Sequence, residues 1–414
     1  MPIIGAFLEN TQGCGTVIRT MSTDTNEQKI DELLTRGVDE VIHHENLKKK
    51  LLSGVQLRIK LGIDPTSANL HLGRSIPLLK LRDFQELGHQ IVLIVGDFTG
   101  LIGDTSDKDS ERPMLTRDIV EENKKTYYEQ VGKILDIHAV EFRYNSEWLE
   151  KLTYREIGEH ADLFSVADFI ARDNIRRRLD AGKRVSLRET LYPLMQGYDS
   201  VAIKSDVELG GTDQRFNMLA GRVLQPHFGQ EPQDILMTPI IQGTDGRKMS
   251  SSWGNTITLT MPPHDMYGKL MSMNDANICD YFTMCTRISM GEVLEIREAL
   301  SSNDTNPRDI KMRLAREITR MYHGENAAQE AENAFIETFQ NHGVPEDVLE
   351  IAGEYVETFL KEGVVSSKTE LRRLLEAGGV RDAETGEKLE TIPGHVETPR
   401  TLKIGKRRFV RLLP

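Results

Sequence analysis

The chain has 414 residues, of which 38% are hydrophobic and 28% charged, and carries a formal net charge of −12. That length exceeds one ordinary core and implies two or three domains, and the negative charge argues against indiscriminate nucleic-acid binding. No apolar run reaches the roughly 18 residues of a membrane span, and Cys14, Cys279 and Cys285 form no CxxC pair, which excludes a disulfide framework and a thiolate metal site and suits a reducing cytoplasm.

The first stretch, MPIIGAFLENTQGCGTVIRT, has an apolar patch but no basic region before it, so it does not read as a secretory signal. Residues 1–30 are expected to form a disordered extension, with Met21 as an alternative start. Glu27–Ser53 places Ile30, Leu33, Leu34, Val38, Val41, Ile42 and Leu47 at helical spacing among charges. A clean unit follows. Leu57–Ile63 reads as a strand, DPTSANLHLGR as a turn-rich loop, Ser75–Leu87 as an amphipathic helix closed by Gly88, and Gln90–Val95 as an apolar strand. Strand, helix and apolar strand make a βαβ unit, hence an α/β fold with a parallel sheet and helices on its faces.

The long polar loop GDFTGLIGDTSDKDSERPMLT comes next, a length that tends to be functional. Helical patterns run through 118–135, 148–160 and 166–181. Val201–Val207 reads as a strand, followed by ELGGTDQRFN and a helix through Val223; Ile235–Ile241 reads as a further strand. The pattern is helical from His264 to Ala352, after a boundary at Met261–Pro263. A last module begins near Glu354, with a helix at Lys368–Glu376 and a basic, strand-like tail. Residues 361–414 hold 12 Lys and Arg against 8 Asp and Glu, so the body of the chain carries −16 and the tail +4. A basic terminal module on an acidic body suggests a local anionic partner.

Two segments carry candidate chemistry. HLGR (His71–Arg74) opens the first helix of the βαβ unit, where free N–H groups and the helix dipole suit a phosphate. Gly73 admits close approach to the backbone, and His71 and Arg74 can donate to phosphate oxygens. The plain alternative is a histidine cap on an ordinary helix. GTDGRKMSSSWGN (Gly243–Asn255) sets an Arg-Lys pair and three serines on a breaker-rich loop. Taken alone it reads either as the tip of a hairpin joining Ile235–Ile241 to Thr256–Thr260, or as a mobile loop gripping a polyphosphate.

Together these two segments resemble the paired HIGH and KMSKS signatures of the class I aminoacyl-tRNA synthetases. Five motifs in order, GIDPTSANLHLGR, GLIGDTS, YPLMQGYDS, ELGGTDQRFN and DGRKMSSSWGN, narrow the resemblance to the tyrosyl-tRNA synthetase family of bacterial type, over about Leu33–Pro414. The resemblance implies a Rossmann-like catalytic domain over 31–261, an α-helical anticodon-binding domain over 262–352 and a small α+β RNA-binding domain over 353–414. It implies activation of L-tyrosine by ATP with Mg²⁺ to tyrosyl-adenylate and pyrophosphate, then transfer to the terminal ribose of tRNA(Tyr). It also implies a cytoplasmic homodimer with no membrane contact and no tightly bound cofactor or protein metal site.

Residue roles follow from the same resemblance. Gly62, Asp64 and Thr66 would line the adenylate phosphate, with His71, Gly73 and Arg74 at the attacked phosphate. Lys248, Ser250 and Ser251 would form the loop that meets the departing pyrophosphate. Tyr192, Gln196 and Asp104 would hold the α-ammonium, and Asp199 would accept from the phenol. Tyr192, Gln196 and Asp199 stand at i, i+4 and i+7, one helix face. Gly210, Gly211, Asp213 and Gln214 would hold the ribose and the amino-acid carboxylate. Arg372, Arg373, Lys403, Lys406, Arg407 and Arg408 would face RNA phosphates. Three positions depart from the family pattern: Arg74 replaces a histidine, Ser251 replaces a lysine, and Lys60 stands where many members have a phenol-binding tyrosine. Lys60 is therefore expected either to line the tyrosine pocket or to pair with Asp199. The readings left beside this one are the related tryptophanyl enzyme and a non-catalytic RNA-binding relic.

Overall fold

The computed structural model describes residues 23–106, 115–302, 305–339, 348–383, 385–405 and 408–414. Its described residues gather into two units. The first draws on the described residues up to Thr66, on Pro77–Glu121 and on Leu135–Pro239, the second on Ser67–Ile76, Glu122–Ile134 and Ile240–Pro414.

The first unit is built on six strands: β1 (Glu40–Ile42), β2 (Arg58–Ile63), β3 (Gln90–Val95), β4 (Val140–Tyr144), β5 (Val207–Gly211) and β6 (Asp234–Thr238). Their order is β1-β6-β5-β2-β3-β4. All neighbours from β6 to β4 are parallel, and only β1 runs antiparallel at the edge. QIVLIV forms β3 because both faces are covered, so every position after Gln90 is buried. From β2 the chain goes to β3 and β4 on one side, then returns to β5 and β6 on the other. The strand order thus reverses between β2 and β5, the place where open α/β sheets bind ligands beyond the strands' carboxyl ends. Gly62 and Asp64 lie at that end of β2, and Gly210 and Gly211 at that end of β5.

Several elements differ from the sequence reading. Val201–Val207 is not a strand: its first residues finish the helix Leu187–Ile203, Lys204 ends that helix at φ 53°, and β5 opens only at Val207. A short apolar run serves a buried helix end as well as a strand. The Glu27–Ser53 stretch is two helices, Glu27–Thr35 and His44–Leu52, separated by β1. The helix Glu27–Thr35 opens where Asn26 caps it by accepting from the Lys29 N–H, so a helix starts inside the stretch expected as an extension. Residues 1–22 of that extension lie outside the described residues. The expected helices over 118–135, 148–160 and 166–181 each break in two, and β4 (VEFRY), half-buried along most of its length, carries no strong alternation. The helix Leu187–Ile203 packs directly on Arg215–His227. A Cβ on Gly197 would sit 2.8 Å from Leu224 Cδ1 and 2.9 Å from the Ala220 carbonyl carbon, so only glycine permits this approach.

In the second unit, helices Pro263–Met271, Ile278–Cys285, Met290–Ser301, Pro307–His323 and Glu325–Phe339 bury Met266, Tyr267, Leu270, Tyr281, Phe282, Leu314 and Ile318. Cys285 is buried there as core filling. A separate core, including Phe359, Val365, Leu402, Ile404, Val410 and Leu412, lies under a four-stranded sheet. Its strands are β7 (Leu349–Ala352), β8 (Val380–Asp382), β9 (Arg400–Ile404) and β10 (Arg408–Leu413), in the order β7-β10-β9-β8. Because β7 pairs in parallel with β10, this module includes Leu349–Ala352, residues the sequence reading gave to the helical domain.

Candidate active site

The two signature segments meet inside the second unit, and the chain ties them there. Leu72 N–H donates to Ile257 O and Leu259 N–H to Leu70 O, both at 2.9 Å, so His71 bridges Thr258. The Thr256–Thr260 stretch therefore pairs with the mouth of the Leu72–Glu86 helix, not with Ile235–Ile241 as a hairpin would require. The loop between is a miniature hairpin of its own: Gln242 bridges Lys248, and Gly243 N–H donates to Arg247 O at 2.7 Å across a turn where Gly246 has φ 82°. Asn255 closes it, accepting from Ser250 N–H at 2.9 Å and donating to Asp245 at 2.7 Å and Lys248 O at 3.0 Å. Arg247 is ion-paired to Asp245 and lies over the Trp253 ring, so it is held on the loop. Ser251 is exposed.

The helix itself begins at Leu72, three residues ahead of the expected start. His71 is 7% exposed, and its Nδ1 has no hydrogen-bond partner. Burial first, then the charges of Arg74 and Lys248, push the imidazole down to about 3. The ring is thus neutral near pH 7 and can donate from one nitrogen without adding charge. A Cβ on Gly73 would stand 3.1 Å from His71 Cε1 and Nδ1, so the glycine makes room for the ring. The Gly73 N–H donates to Met249 Sδ at 3.3 Å, a weak acceptor beside Lys248. Arg74 reaches Tyr127 Oη at 3.3 Å, and Tyr127 in turn donates to Ser67 O at 2.9 Å. The Gly73 N–H, held only by a thioether, a neutral imidazole and two cations around one helix mouth form an anion site.

In the first unit, residues named for the amino acid cluster on the Leu187–Ile203 helix and the strand ends. Gly62 opens on space, with nothing within 4 Å of a Cβ built there. Tyr192 donates to Asp64 Oδ2 at 2.8 Å, and Thr99 donates to Asp64 Oδ1 at 2.7 Å. Burial and the Asp64 carboxylate raise the Tyr192 phenol, which stays protonated. Asp104 accepts from Gln214 Nε2 at 2.7 Å and from the Ser106 hydroxyl at 2.6 Å. A Cβ on Gly210 would lie 2.8 Å from Met218 Sδ, and one on Gly211 2.6 Å from Asp213 Oδ1, so a side chain at either glycine of ELGGTDQ would displace a neighbour. Asp213 and Thr66 are half-buried in the same unit.

Asp199 is 3% exposed, and its oxygens accept from Trp148 Nε1 at 2.8 Å and Asn145 Nδ2 at 3.3 Å. Burial outweighs Lys60 and these donors and raises the carboxyl to about 7. Lys60 does not hydrogen-bond Asp199. It is fully buried and donates to Glu208 Oε1 at 2.9 Å, Gln196 O at 2.8 Å and Ser200 Oγ at 2.8 Å. With three donors engaged, its ammonium has no hydrogen left for a substrate phenol. Sequence reasoning missed Thr99, Asn145, Trp148 and Glu208. Only Trp148, one of two tryptophans, and the odd acid in VELGG offered any signal.

The basic module is less open than its composition. Arg372 and Arg373 are exposed on the Lys368–Glu376 helix, and Lys403 lies over the Phe409 ring. Arg408 instead bonds Glu370 at 2.8 Å and the Val364 carbonyl, so it fastens the helix to β10. Lys406 and Arg407 lie outside the described residues. Among the described residues no group of three His, Cys, Asp or Glu could hold a metal ion, and no helix is long and apolar enough to cross a membrane.

A doubly wound parallel sheet with a glycine-lined switch point, and a helix-mouth anion site closed by a basic loop, define a nucleotide-using enzyme of the class I synthetase type. Residues 52–340 match the family of class I tRNA synthetases (W and Y), and the chain belongs to it. Its relatives there are tyrosine--tRNA ligases: that of Thermotoga maritima is 46% identical over 395 residues, covering 94% of this chain and 98% of the relative. The ligase of Moorella thermoacetica is 45% identical over 392 residues, covering 92% and 94%. Among solved structures, the tyrosyl-tRNA synthetase of Archaeoglobus fulgidus complexed with L-tyrosine shares the fold at a TM-score of 0.59 and 24% identity, covering 74% of this chain and all of that one.

Proposed function

We propose that this chain is a tyrosine--tRNA ligase. A carboxylate oxygen of L-tyrosine attacks the α-phosphorus of ATP, the bond to the β-phosphate oxygen breaks, and pyrophosphate leaves. A terminal ribose hydroxyl of tRNA(Tyr) then attacks the carbonyl carbon, loses its proton and releases AMP. Neither step needs a covalent side-chain nucleophile; positioning and charge do the work.

The observation that carries this reading is the His71 imidazole, buried and neutral between the charges of Arg74 and Lys248. A phosphate oxygen competes well with Met249 Sδ for the Gly73 N–H, and His71 donates to it. Lys248, on the loop, meets charge as it develops on the departing pyrophosphate, so it acts on the transition state more than on bound substrate. Mg²⁺ enters with ATP as part of the substrate. Asp104, Tyr192, Gln196 and Gln214 orient the tyrosine ammonium and carboxylate, and Asp199 takes the phenol hydrogen on a lone pair left by Trp148 and Asn145. A site built to hydrogen-bond a hydroxyl rejects the analogue without it, a rule for which tyrosine activation is itself the standard example. Arg372, Arg373 and Lys403 give the C-terminal module its RNA-facing charge. A cytoplasmic homodimer accords with this reading.

ATP–pyrophosphate exchange assayed with each amino acid separately tests it. Exchange is expected with tyrosine alone. Exchange with tryptophan and not tyrosine would move the chain to the other branch of its family, and none with any amino acid would leave only an RNA-binding relic.

A further inference from the structure

Inside the first unit, a buried ion pair stands behind the tyrosine helix. Lys60 on β2 and Glu208 on β5 are directly opposite in the parallel register and are 0% and 1% exposed. Glu208 accepts from every side. Its Oε1 takes Lys60 Nζ at 2.9 Å and Gln196 Nε2 at 3.1 Å, and its Oε2 takes Ser200 Oγ at 3.3 Å and Gln233 Nε2. Lys60 holds the same helix by its backbone, at Gln196 O.

From this we infer that Glu208, ion-paired to Lys60, is a positioning residue that fixes which end of the Gln196 carboxamide faces the amino acid. The inference rests on the assignment of Gln196 to the tyrosine ammonium. The reason is chemical. An amide side chain can present its oxygen or its nitrogen, and the two ends have nearly the same shape. An ionised carboxylate only accepts, so Gln196 must turn its NH₂ to Glu208. Its Oε1 then points the other way as an acceptor, which is what an ammonium requires. A neutral glutamine at 208 could donate as readily as accept, and the choice would be lost. Lys60 makes the arrangement possible, because a lone carboxylate this deep would be strongly disfavoured. The residue that departs from the family's phenol-binding tyrosine thus acts at the opposite end of the substrate, through a partner.

The test is a cycle of variants in full-length enzyme, read by exchange kinetics. Lys60→Met with Glu208→Gln replaces the pair by neutral groups of similar size. Its KM for tyrosine is expected to rise about tenfold, the loss of one hydrogen bond to a charged group. Its kcat and its KM for ATP should stay within about threefold, and in a Gln196→Ala background the same two substitutions should add nothing to KM, since the coupling then has no carrier. Glu208→Asp keeps the charge beside Lys60 but withdraws it from Gln196 by one methylene. It should raise KM for tyrosine less, and it gives the same readout if the neutral pair does not fold. An unchanged KM in a folded neutral pair, or an equal rise with and without Gln196, overturns the inference. If Gln196→Ala alone leaves KM for tyrosine unchanged, the assignment of Gln196 has failed instead.

Discussion

Tyr192 donates its hydroxyl hydrogen to Asp64 Oδ2 at 2.8 Å, tying the middle of the Leu187–Ile203 helix to the loop that leaves β2. Asp64 is also held by Thr99, which Asn145 reaches at 2.9 Å while contacting Asp199 at 3.3 Å. One hydrogen-bonded chain therefore connects the residue assigned to the adenylate with the residue assigned to the phenol. Tyr192→Phe removes one link and leaves Thr99 in place. The KM for tyrosine in exchange is expected to rise about tenfold, with a stability loss of about 1 kcal/mol in thermal unfolding. An unchanged KM would take Tyr192 out of the pocket.

Asp199 carries a pH signature. Burial raises its carboxyl from 3.8 to about 7, so the folded state takes the proton more readily than the unfolded one. Its contribution to stability is therefore complete below about pH 3.8 and is lost as pH rises toward about 7. Function runs the other way, because a charged carboxylate is the better acceptor for the phenol. The KM for tyrosine should fall as pH rises through about 7, and Asp199→Asn should flatten that profile and weaken the preference over phenylalanine. Asp199→Ala should abolish tyrosine-dependent exchange; persistence of tyrosine-selective exchange would refute the pocket.

His71 and Lys248 predict a split between binding and chemistry. Lys248→Ala should slow single-turnover adenylate formation by about 10²–10³ while tyrosine binding by calorimetry changes little. Equal losses in both would deny the lysine a transition-state role. The imidazole also sets an acid limit. Its folded value of about 3 lies below the ordinary 6.5, so the unfolded chain takes up a proton first. Stability from this site is full above about 6.5 and declines as pH falls toward about 3. In His71→Gln, unfolding midpoints should lose part of their slope across that window.

The C-terminal module separates two kinds of arginine. Arg408→Ala should lower the module's unfolding temperature, because it releases Glu370 and the Val364 carbonyl. Arg372→Ala with Arg373→Ala should leave stability nearly unchanged and weaken tRNA charging in a salt-dependent way. Truncation must precede Leu349, since a cut at 353 would strip β7 of its partner β10. A chain ending before Leu349 is expected to retain exchange and lose charging; undiminished charging would refute the RNA role.

Much of this is legible in the amino-acid sequence. The βαβ unit could be read from Leu57–Val95 because a buried parallel strand must be apolar throughout and an amphipathic helix must repeat every three to four residues. Both signatures were visible as short segments, since phosphate recognition needs glycine, cations and a helix start within a few neighbouring residues. Local periodicity could not place β1 or β4, which are short and lie at the sheet's edges, nor assign Val201–Ile203 to a helix end.

Partnership was the part that tertiary structure decided. Nothing in the local sequence says that Thr258 bridges His71, that Lys60 faces Glu208 and not Asp199, or that Arg408 holds Glu370. A charged side chain looks the same in one dimension whether it awaits a ligand or neutralises a neighbour. Which of the two it does depends on what long-range pairing brings within about 3 Å of it, and on how much water is then left.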